Sequence, residues 1–438
     1  MLPLLLACAA PSSSDARSAL LQAQLIRENR IYEAREPQAL AQKYNRMALD
    51  RYDFMRGTAG WFYADVSRAG GAQQTAGVLE QEATQVLVVG DPHPENLGTL
   101  LIGEMPASAD EVTLSLEWVD LDAVGWGPWT LDLRRGALGL AAMLDPLEGC
   151  DCTQDAVKAM AEGYAAGLAA EAPAYGPITL DLLEEAAEEG LERKRLDDRA
   201  PVHLDETERR FRLDEDLDEL GRGMLPATDA ELARVQAVAD ALLPADTRLL
   251  AVCRRWGSGI ASLPAARFQL LADTGQPGPD DDLLLQVREV WDPPLLAAAG
   301  PPSPLFQDNA ERVTAGQALW SQTERYADAT LQGNLAFKLT SAGSYFQTFD
   351  HEKVAEAWAE GELQPQDLID LGFTLGHALG AAHLRGGTST GDPVSWQAPD
   401  PAELAAIAAS DLQTLEADHQ AFLLLVDDSA LLGAERIP

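Results

Sequence analysis

The sequence predicts an α+β fold, in which helical segments and a β-rich module occupy separate stretches of the chain. Ala- and Leu-rich runs with helical spacing flank the module, and apolar strand-like runs broken by glycine turns cluster between residues 249 and 350. The chain has 438 residues, of which 46 % are hydrophobic and 23 % are charged. This length and composition suffice for two or three domains with a sizeable core.

The overall charge argues against a nucleic acid partner. With 70 acidic and 32 basic side chains, the formal net charge is −38. Such a charge repels a phosphate backbone, so we predict no binding to nucleic acid. A solvated acidic surface and recognition of cationic molecules both remain open.

The first 14 residues, MLPLLLACAAPSSS, form a short apolar run that ends in a cysteine and is followed by small and polar residues. This segment resembles a bacterial lipoprotein signal. The resemblance implies export and a lipid anchor at Cys8 on the periplasmic side of a bacterial membrane, which would be the protein's only membrane contact. If the signal is not processed, the protein is expected in the cytoplasm.

The remaining cysteines are Cys150, Cys152 and Cys253. They lack the paired C-x-x-C spacing of a zinc site, so the sequence indicates no structural metal. A disulfide from Cys253 to one of the other two and buried free thiols are both open interpretations.

Hydrophobic periodicity and turn residues predict the elements in order. Helices are predicted over 15–55, 131–146, 153–170, 179–196, 228–243, 309–322, 365–384 and 401–426. Strands are predicted over 85–90, 98–103 and 112–121, then in LLAVCRRW, ARFQLLAD and LLLQVREV, and within 334–349. The predicted organisation is a signal and linker over 1–14, a helical lobe over 15–248, a β-rich lobe over 249–350 and closing helices over 351–438.

The strongest local motif is GDPHPEN at 90–96, a proline-stiffened loop after a strand. In phosphoryl transfer an aspartate orients the proton of the attacking hydroxyl, and a nearby asparagine holds magnesium on the nucleotide phosphates. Asp91 and Asn96 fit these two roles. If strands starting at Leu97 and ending near Asp120 pair antiparallel, Asp120 returns close to Asn96 as a second metal ligand.

Asp120 and Asp122 are expected on one face of the strand end, because side chains alternate with period two. Their mutual repulsion would be relieved by a divalent cation, which favours Asp120 as a magnesium ligand and Asp122 as a second ligand or a structural acceptor. An exposed pair at a strand end is the alternative. We interpret Asp132 as a structural residue that caps its helix or pairs with a neighbouring arginine, and His93 as a residue that hydrogen-bonds the loop into shape.

The β-rich module contains RRWGSGIAS at 254–262, a glycine and serine turn before a strand. Such a turn can lay backbone N–H groups against phosphates. We therefore predict nucleotide contacts from this turn and from Arg288, a basic side chain on a following strand. A surface arginine is the alternative for Arg288. The predicted nucleotide-binding residues are Gly257, Ser258, Gly259, Ser262 and Arg288.

The blocks GDPHPENLG and VDLDAVGWGPWTLDLRR together resemble a bacterial family named domain of unknown function 2252. The resemblance extends from about residue 40 to about residue 390, through RRWGSGIASL, LLLQVREV and LGHALGAAHLRG. That family in turn resembles protein-kinase-like proteins, especially aminoglycoside and choline phosphotransferases. The resemblance implies ATP and Mg²⁺ as cofactors, Asp91 as the base, and Asn96 and Asp120 as metal ligands.

The sequence departs from the kinase-like pattern in two ways. The glycine turn follows the catalytic loop instead of preceding it, which implies a circularly permuted two-lobed fold. The helix containing ALGAAH resembles the one that normally precedes the catalytic loop, and here it lies near the chain end. The second departure is Arg288, which stands where the family carries a lysine and presents a larger planar group.

These observations favour an ATP- and magnesium-dependent phosphotransferase whose acceptor is a hydroxyl of a small molecule or a protein. A non-catalytic exported lipoprotein that keeps the fold for binding is the competing hypothesis. Adenylyl transfer on the same fold is a third hypothesis and would reuse most of the same residues.

Overall fold

The computed structural model describes residues 13–68, 84–102, 112–195, 202–204, 209–214, 216–275, 282–297, 306–322, 327–342, 345–391 and 399–431. These residues form a mixed α+β fold, which confirms the predicted class. The predicted anchor at Cys8 lies outside the described residues. Within the described part of the chain, no helix combines the length and the apolar character needed to cross a membrane.

The helices and strands have the following bounds. The helices are α1 (Ser13–Arg35), α2 (Pro37–Met47), α3 (Arg51–Gly57), α4 (Ala59–Val66), α5 (Trp129–Leu144), α6 (Thr153–Leu168), α7 (Pro177–Arg195), α8 (Asp229–Leu242), α9 (Asn309–Gly316), α10 (His351–Glu360), α11 (Pro365–Gly386) and α12 (Pro401–Asp427). The strands are β1 (Gln85–Val88), β2 (Leu97–Leu101), β3 (Leu114–Trp118), β4 (Gly125–Pro128), β5 (Val202–Leu204), β6 (Arg209–Phe211), β7 (Gly223–Pro226), β8 (Arg248–Trp256), β9 (Arg267–Asp273), β10 (Leu283–Val290), β11 (Asp328–Gln332) and β12 (Leu335–Ser341).

The predicted helix over 15–55 is divided into three. Helix α2 begins at Pro37, whose missing N–H group is tolerated in a first turn but not in a helix interior. Helix α3 begins after Asp50, whose side chain accepts a hydrogen bond of 2.7 Å from the backbone nitrogen of Asp53. A fourth helix, α4, follows beyond the predicted helical range.

The helical core is centred on α6 and α11, which approach each other closely. A Cβ atom at Gly376 of α11 would lie 1.9 Å from the backbone oxygen of Met160 of α6, so only glycine permits this contact. Leu371, Leu375 and Leu379 of α11 are buried in the same core. The predicted segment LGHALGAAHL is therefore a buried helix of this core.

The described strands of the main sheet are all antiparallel and follow the order β11-β12-β10-β9-β8-β7. One face is covered by α8, whose Val235 and Val238 are buried with Phe268 and Leu270 of β9. The strand β7 and the helix α8 precede residue 249 in sequence, yet both are part of this sheet structure. The opposite face meets the loop that follows β3.

Two short ribbons carry the predicted motif. Strands β2 and β3 pair antiparallel with Leu97 opposite Trp118, which confirms the predicted hairpin. Strands β1 and β4 pair antiparallel with Val88 opposite Gly125. Together the ribbons bring the residues after β1, before β2 and after β3 to one place.

The pairing of the cysteines matches neither interpretation of the sequence for all three residues. Cys150 and Cys152 form a disulfide with each other, just before α6. Cys253 is a free thiol buried with Phe211 and Leu271, so of the two open alternatives only the buried free thiol applies, and only to Cys253. Burial raises the pKa of the Cys253 thiol to about 12, which keeps it protonated and unreactive.

Candidate functional site

The loop after β1 is fixed by buried backbone contacts. The hydroxyl of Tyr63 donates to the backbone oxygen of Gly90 over 2.7 Å. Gly90 has a φ of +84°, and a Cβ atom there would lie 2.0 Å from the backbone oxygen of Ala123. Both the left-handed backbone and the close approach demand glycine at the residue that precedes Asp91.

Asp132 of α5 receives the backbone donors of this loop. Its two carboxylate oxygens accept hydrogen bonds of 2.8 Å from the backbone nitrogens of Val89 and Gly90. Nε2 of His383 in α11 lies 2.9 Å from Asp132, and Nδ1 of His383 lies 2.8 Å from the hydroxyl of Tyr164. Because a carboxylate only accepts, Nε2 carries the proton and Nδ1 accepts from Tyr164.

Asp132 thus has the predicted structural role, but through other partners. The neighbouring arginines do not pair with it: Arg134 forms a buried ion pair with Asp411 at 2.7 Å, and Arg135 reaches Asp91. The backbone nitrogens at the end of β1 have no strand partner there, and Asp132 supplies their acceptors.

Asp91 is a largely buried carboxylate held by one arginine. Its Oδ1 accepts a hydrogen bond of 2.9 Å from Nε of Arg135, and the side chain is 10 % exposed. Burial raises the pKa of Asp91 above its usual range, and Asp120 adds to this rise, whereas Arg135 opposes it. A raised pKa makes Asp91 a better proton acceptor than an ordinary surface aspartate.

His93 shapes the loop through its backbone. Its nitrogen donates to the backbone oxygen of Asp91, and its oxygen accepts from the nitrogen of Asn96, both over 2.9 Å. These are backbone contacts. Nδ1 of the imidazole has no hydrogen bond within the described residues, and Nε2 lies 3.9 Å from Oδ2 of Asp91, so a shaping role of the side chain stays a prediction. Burial and the nearby Arg56 and Arg135 lower the pKa of His93 well below its usual value, so the ring is neutral.

The structure brings Asn96 and Asp120 together as the hairpin register predicts. Nδ2 of Asn96 donates to the backbone oxygen of Asp91 over 2.9 Å, so Oδ1 is the atom of this side chain that could coordinate a cation. The backbone nitrogen of Val119 donates to the backbone oxygen of Asn96 over 2.9 Å, so Asp120 is the next residue along. Asp91, Asn96 and Asp120 therefore meet at one end of the β2–β3 hairpin.

Asp120 and Asp122 are paired with two cations of the sheet. The guanidinium of Arg288 contacts both oxygens of Asp120, at 3.1 and 3.3 Å, and its Nε lies 3.2 Å from Asp122. Nζ of Lys338 lies 2.5 Å from Asp122 and 3.5 Å from Asp120. From the sequence, a divalent cation was expected to relieve the mutual repulsion of Asp120 and Asp122. In the structure, Arg288 and Lys338 relieve it.

These contacts keep Asp120 ionised. Burial alone would raise the pKa of Asp120, but Arg288 and Lys338 outweigh it and hold this pKa far below its usual range. Burial would lower the pKa of Arg288, and the two aspartates overcome that effect and raise it. Asp120 is therefore a permanent anion at any physiological pH.

The predicted glycine turn lies between β8 and β9. Nη1 of Arg46 in α2 donates to the backbone oxygens of Gly257 and Gly259, at 2.9 and 3.1 Å. The hydroxyls of the two serines accept from arginines: Ser258 from Arg255 over 2.7 Å, and Ser262 from Arg267 over 3.1 Å. Arg267 stands directly opposite Arg288 in the β9–β10 register, which connects the turn to Asp120.

The loop that contains Asp122 is also held from the sheet side. Nη1 of Arg312 in α9 donates to the backbone oxygens of Asp122 and Val124, at 2.8 and 2.7 Å. Nη2 of the same arginine donates to the backbone oxygen of Trp291, just after β10. Arg312 therefore ties the loop to the end of β10.

A second group lies beside the loop, where Asp50, Asp53 and His351 place one ligand atom each within 4.8 Å of one another. Each of these residues has a protein partner: Asp50 caps α3, Asp53 pairs with Arg56, and His351 contacts Glu95 at 2.6 Å. Burial raises the pKa of Asp53 to about 6. We interpret this group as an anchor for the loop at Glu95.

The donor set at the main site fits a magnesium ion. Mg²⁺ prefers carboxylate and carbonyl oxygens, which Asn96, Asp120 and Asp122 supply. The two oxygens of Asp122 are buried and, in the described part of the chain, make ionic contacts without an aligned hydrogen bond. Lys338 and Arg288 already contact these oxygens, so a metal ion at Asp122 would have to displace or share those two contacts.

Sequence reasoning missed three cations of the site. Lys338 interrupts the apolar run NLAFKLT, and Arg267 begins the apolar run RFQLLAD, so each is a charged residue on a strand with a buried face. Arg135 was noted only as a neighbour of Asp132. The charge within an apolar run was the available signal, but the register that groups these residues is a property of the folded sheet.

The fold and the site define a mixed α+β protein in which a carboxylate-bearing loop faces a row of basic residues on an antiparallel sheet. The model of one family, described as "Uncharacterized protein conserved in bacteria (DUF2252)", matches residues 35–425, and the chain belongs to this family. No significant match was found among curated proteins or among solved structures.

Proposed function

We propose that the protein is an ATP- and magnesium-dependent phosphotransferase that acts on a hydroxyl acceptor. The observation that carries the proposal is the convergence of Asp91, Asn96 and Asp120 at one end of the β2–β3 hairpin, opposite the basic side chains of the sheet. Phosphoryl transfer needs a base for the acceptor, oxygen ligands for a metal and cations for the phosphates. The two sides of this cleft supply these groups.

Each residue has a distinct task in this proposal. Asp91 accepts the proton of the acceptor hydroxyl through Oδ2, since its Oδ1 is occupied by Arg135. Asn96 and Asp120, with Asp122 beside them, would hold Mg²⁺, which supplies charge neutralisation on the phosphates when bound. Arg288 and the backbone of the glycine turn bind and orient the triphosphate.

The order of parts in the sheet supports a kinase-like arrangement. The glycine turn joins β8 and β9, and Arg288 stands on β10, the next strand of the meander. In protein kinases a glycine-rich loop covers the phosphates and a basic residue stands on the third strand. We propose that this protein is a circularly permuted member of that architecture, with Arg288 and Lys338 sharing the task of the single lysine.

The competing candidate is a non-catalytic exported lipoprotein that binds through the same cleft. Two observations favour it: Asp120 and Asp122 are already neutralised by Arg288 and Lys338, and Cys150 forms a disulfide with Cys152. Disulfides persist in oxidising compartments, where ATP is scarce. Export and a lipid anchor at Cys8 are part of this candidate.

The test is ATP consumption by the full chain, followed by phosphorus NMR with Mg²⁺ and with a pool of hydroxyl compounds from bacterial extract. We expect Asp91→Asn to lower the rate by about 10²- to 10⁴-fold while ATP still binds, because only general-base catalysis is removed. Asp181→Asn, an exposed aspartate on α7, is the matched control. Equal rates for the parent and Asp91→Asn would refute the assignment of the base, and no consumption by the parent would favour the lipoprotein.

A further inference from the structure

Four basic residues stand side by side on four neighbouring strands. Arg288 of β10 lies opposite Lys338 of β12 on one side and opposite Arg267 of β9 on the other. The β8–β9 register ends with Arg254 opposite Phe268, and Arg255 and Arg267 are the next residues along these two strands. Residues directly opposite in an antiparallel pair share a face, so the four form one row, which we call the cation row.

The cation row is only half neutralised. Arg288 and Lys338 contact Asp120 and Asp122, as described above. Arg255 and Arg267 have no carboxylate within ion-pair distance among the described residues, and each donates instead to a serine hydroxyl of the glycine turn. Two positive charges therefore remain beside that turn.

Without a bound anion, the two unpaired charges of Arg255 and Arg267 reduce the stability of the protein. Like charges directly opposite each other on a sheet destabilise it. Burial lowers the pKa of Arg267 to about 9, and the neighbouring Arg288 and Arg255 add to this effect, whereas Asp120 and Asp122 oppose it. The next residue on the same face of β9, Gln269, is 4 % exposed, and its Oε1 has no hydrogen bond in the described part of the chain. The nearby carboxylates of Asp120 and Asp122 are in direct contact with Arg288 and Lys338, and they act on Arg267 only from a longer distance.

The shape of the unpaired half suits an extended anion. Neighbouring strands lie about 4.8 Å apart, so Arg255 and Arg267 start about 5 Å from each other and the whole cation row spans about 14 Å. Arginine presents a planar fork that matches phosphate oxygens, and such charge-assisted contacts are among the strongest hydrogen bonds. The two unpaired arginines can therefore hold one phosphate or two linked ones, and a longer chain of phosphates can continue along the row towards Arg288.

We propose that Arg255 and Arg267, with the turn at Ser258 and Ser262, form a polyphosphate-binding site that holds its ligand without a divalent cation. The proposal rests on the proposed function, because the expected ligand is the triphosphate of a nucleotide. It differs from that function in placing the anion on two arginines that the magnesium site does not use. An inorganic polyphosphate has the same chemistry and would bind in the same way.

The test is calorimetric titration of the full chain with inorganic triphosphate in the presence of EDTA, in parallel with ATP. We expect Arg267→Gln and Arg255→Gln each to weaken triphosphate binding by about tenfold, which corresponds to about 1.4 kcal/mol. Arg248→Gln is the matched control, because Arg248 lies at the far end of β8, is 70 % exposed and pairs with Asp273. Arg267→Lys should restore part of the affinity.

Folding is monitored by the melting temperature, which should stay equal or rise in Arg267→Gln because a repulsive charge is removed. Unchanged triphosphate affinity in both glutamine variants would overturn the proposal, and so would a parent protein that does not bind triphosphate. If ATP binds in EDTA and triphosphate does not, the nucleoside provides the affinity and the proposal is wrong. Triphosphate binding that depends on Arg267, in a protein that consumes no ATP, would keep this site and reject the phosphotransferase.

Discussion

Lys338 of β12 contacts Asp122 across the cleft between the sheet and the β2–β3 hairpin, with Nζ 2.5 Å from Oδ1. Both side chains are buried, at 5 % and 11 % exposure. Arg288 and Asp120 form a second such contact beside the first. The two ion pairs join the loop that bears the candidate metal ligands to the sheet that bears the cations.

Removing Lys338 from the Lys338–Asp122 contact should destabilise the protein strongly, and removing Asp122 as well should recover part of the loss. Lys338→Met leaves a buried carboxylate with one cation fewer, so we expect a loss of about 3–5 kcal/mol in the free energy of unfolding. Adding Asp122→Asn to Lys338→Met should recover part of that loss. Urea unfolding of the parent, both single variants and the double variant measures the coupling. A coupling energy near zero would show that the contact does not hold the cleft together.

Replacing Gly90 by alanine should cost more stability than its positive φ alone explains. Gly90→Ala adds a Cβ atom 2.0 Å from the backbone oxygen of Ala123. Gly361→Ala is a matched control, because Gly361 has a φ of +77° with nothing within 4 Å of its Cβ position. We expect Gly361→Ala to cost about 1–2 kcal/mol and Gly90→Ala clearly more. Equal costs in urea unfolding would mean that the clash at Gly90 is relieved by movement.

The three donors that converge on Asp132 predict that an isosteric change disrupts the loop. Asp132→Asn replaces one acceptor oxygen by an N–H₂ group, which then faces a backbone donor. Each buried donor left without a partner costs about 1–3 kcal/mol. Asp240→Asn on the exposed side of α8 should be neutral. Unfolding free energies of the two variants test this, and a neutral Asp132→Asn would contradict the role assigned to Asp132.

The environment of His351 predicts a pH-dependent stability. Burial would lower the pKa of His351, but Glu95 and Asp50 outweigh it and raise the pKa above the ordinary value of about 6.5. The folded protein thus binds this proton more tightly than the unfolded chain does. The stabilisation is complete below about pH 6.5 and is lost as the pH rises through the folded pKa.

The measurement is the free energy of unfolding from pH 5 to pH 9 for the parent and for His351→Gln. We expect the difference between the two to shrink as the pH rises. A constant difference would show that the Glu95 contact does not depend on the charge of His351.

The coarse order of helices, hairpin, helices, β-rich module and closing helices followed from the sequence, as did the meeting of Asp91, Asn96 and Asp120, but α4, α10 and the strands β4 to β7 were not predicted. Two strands separated by turn-forming residues pair as a hairpin, and antiparallel pairing then fixes which residues return together. The prediction of one helix over 15–55 was wrong, although Pro37 and the capping residue Asp50 mark the starts of α2 and α3 and were visible in the sequence.

The partners of the charged residues could not be predicted in the same way. Arg135 lies 44 residues from Asp91 and Lys338 lies 218 residues from Asp120, so these contacts depend on packing that no local pattern encodes. The cation row exists only because the registers of four strands align Arg255, Arg267, Arg288 and Lys338. The disulfide between Cys150 and Cys152 could likewise not be predicted, because the sequence does not show that Cys253 is a buried free thiol.

Magnesium-dependent binding of ATP tests the proposed nucleotide site most directly. The parent, Asp120→Asn and Asp181→Asn are titrated with ATP, with and without Mg²⁺, and the melting temperature is followed. A ligand that binds only the folded state at a hundredfold excess over its dissociation constant adds about 2.7 kcal/mol of stability. We predict a magnesium-dependent rise in the parent and in Asp181→Asn that is lost in Asp120→Asn. The absence of any rise in the parent at millimolar ATP, or an equal rise in all three proteins, would contradict the nucleotide site at Asp120.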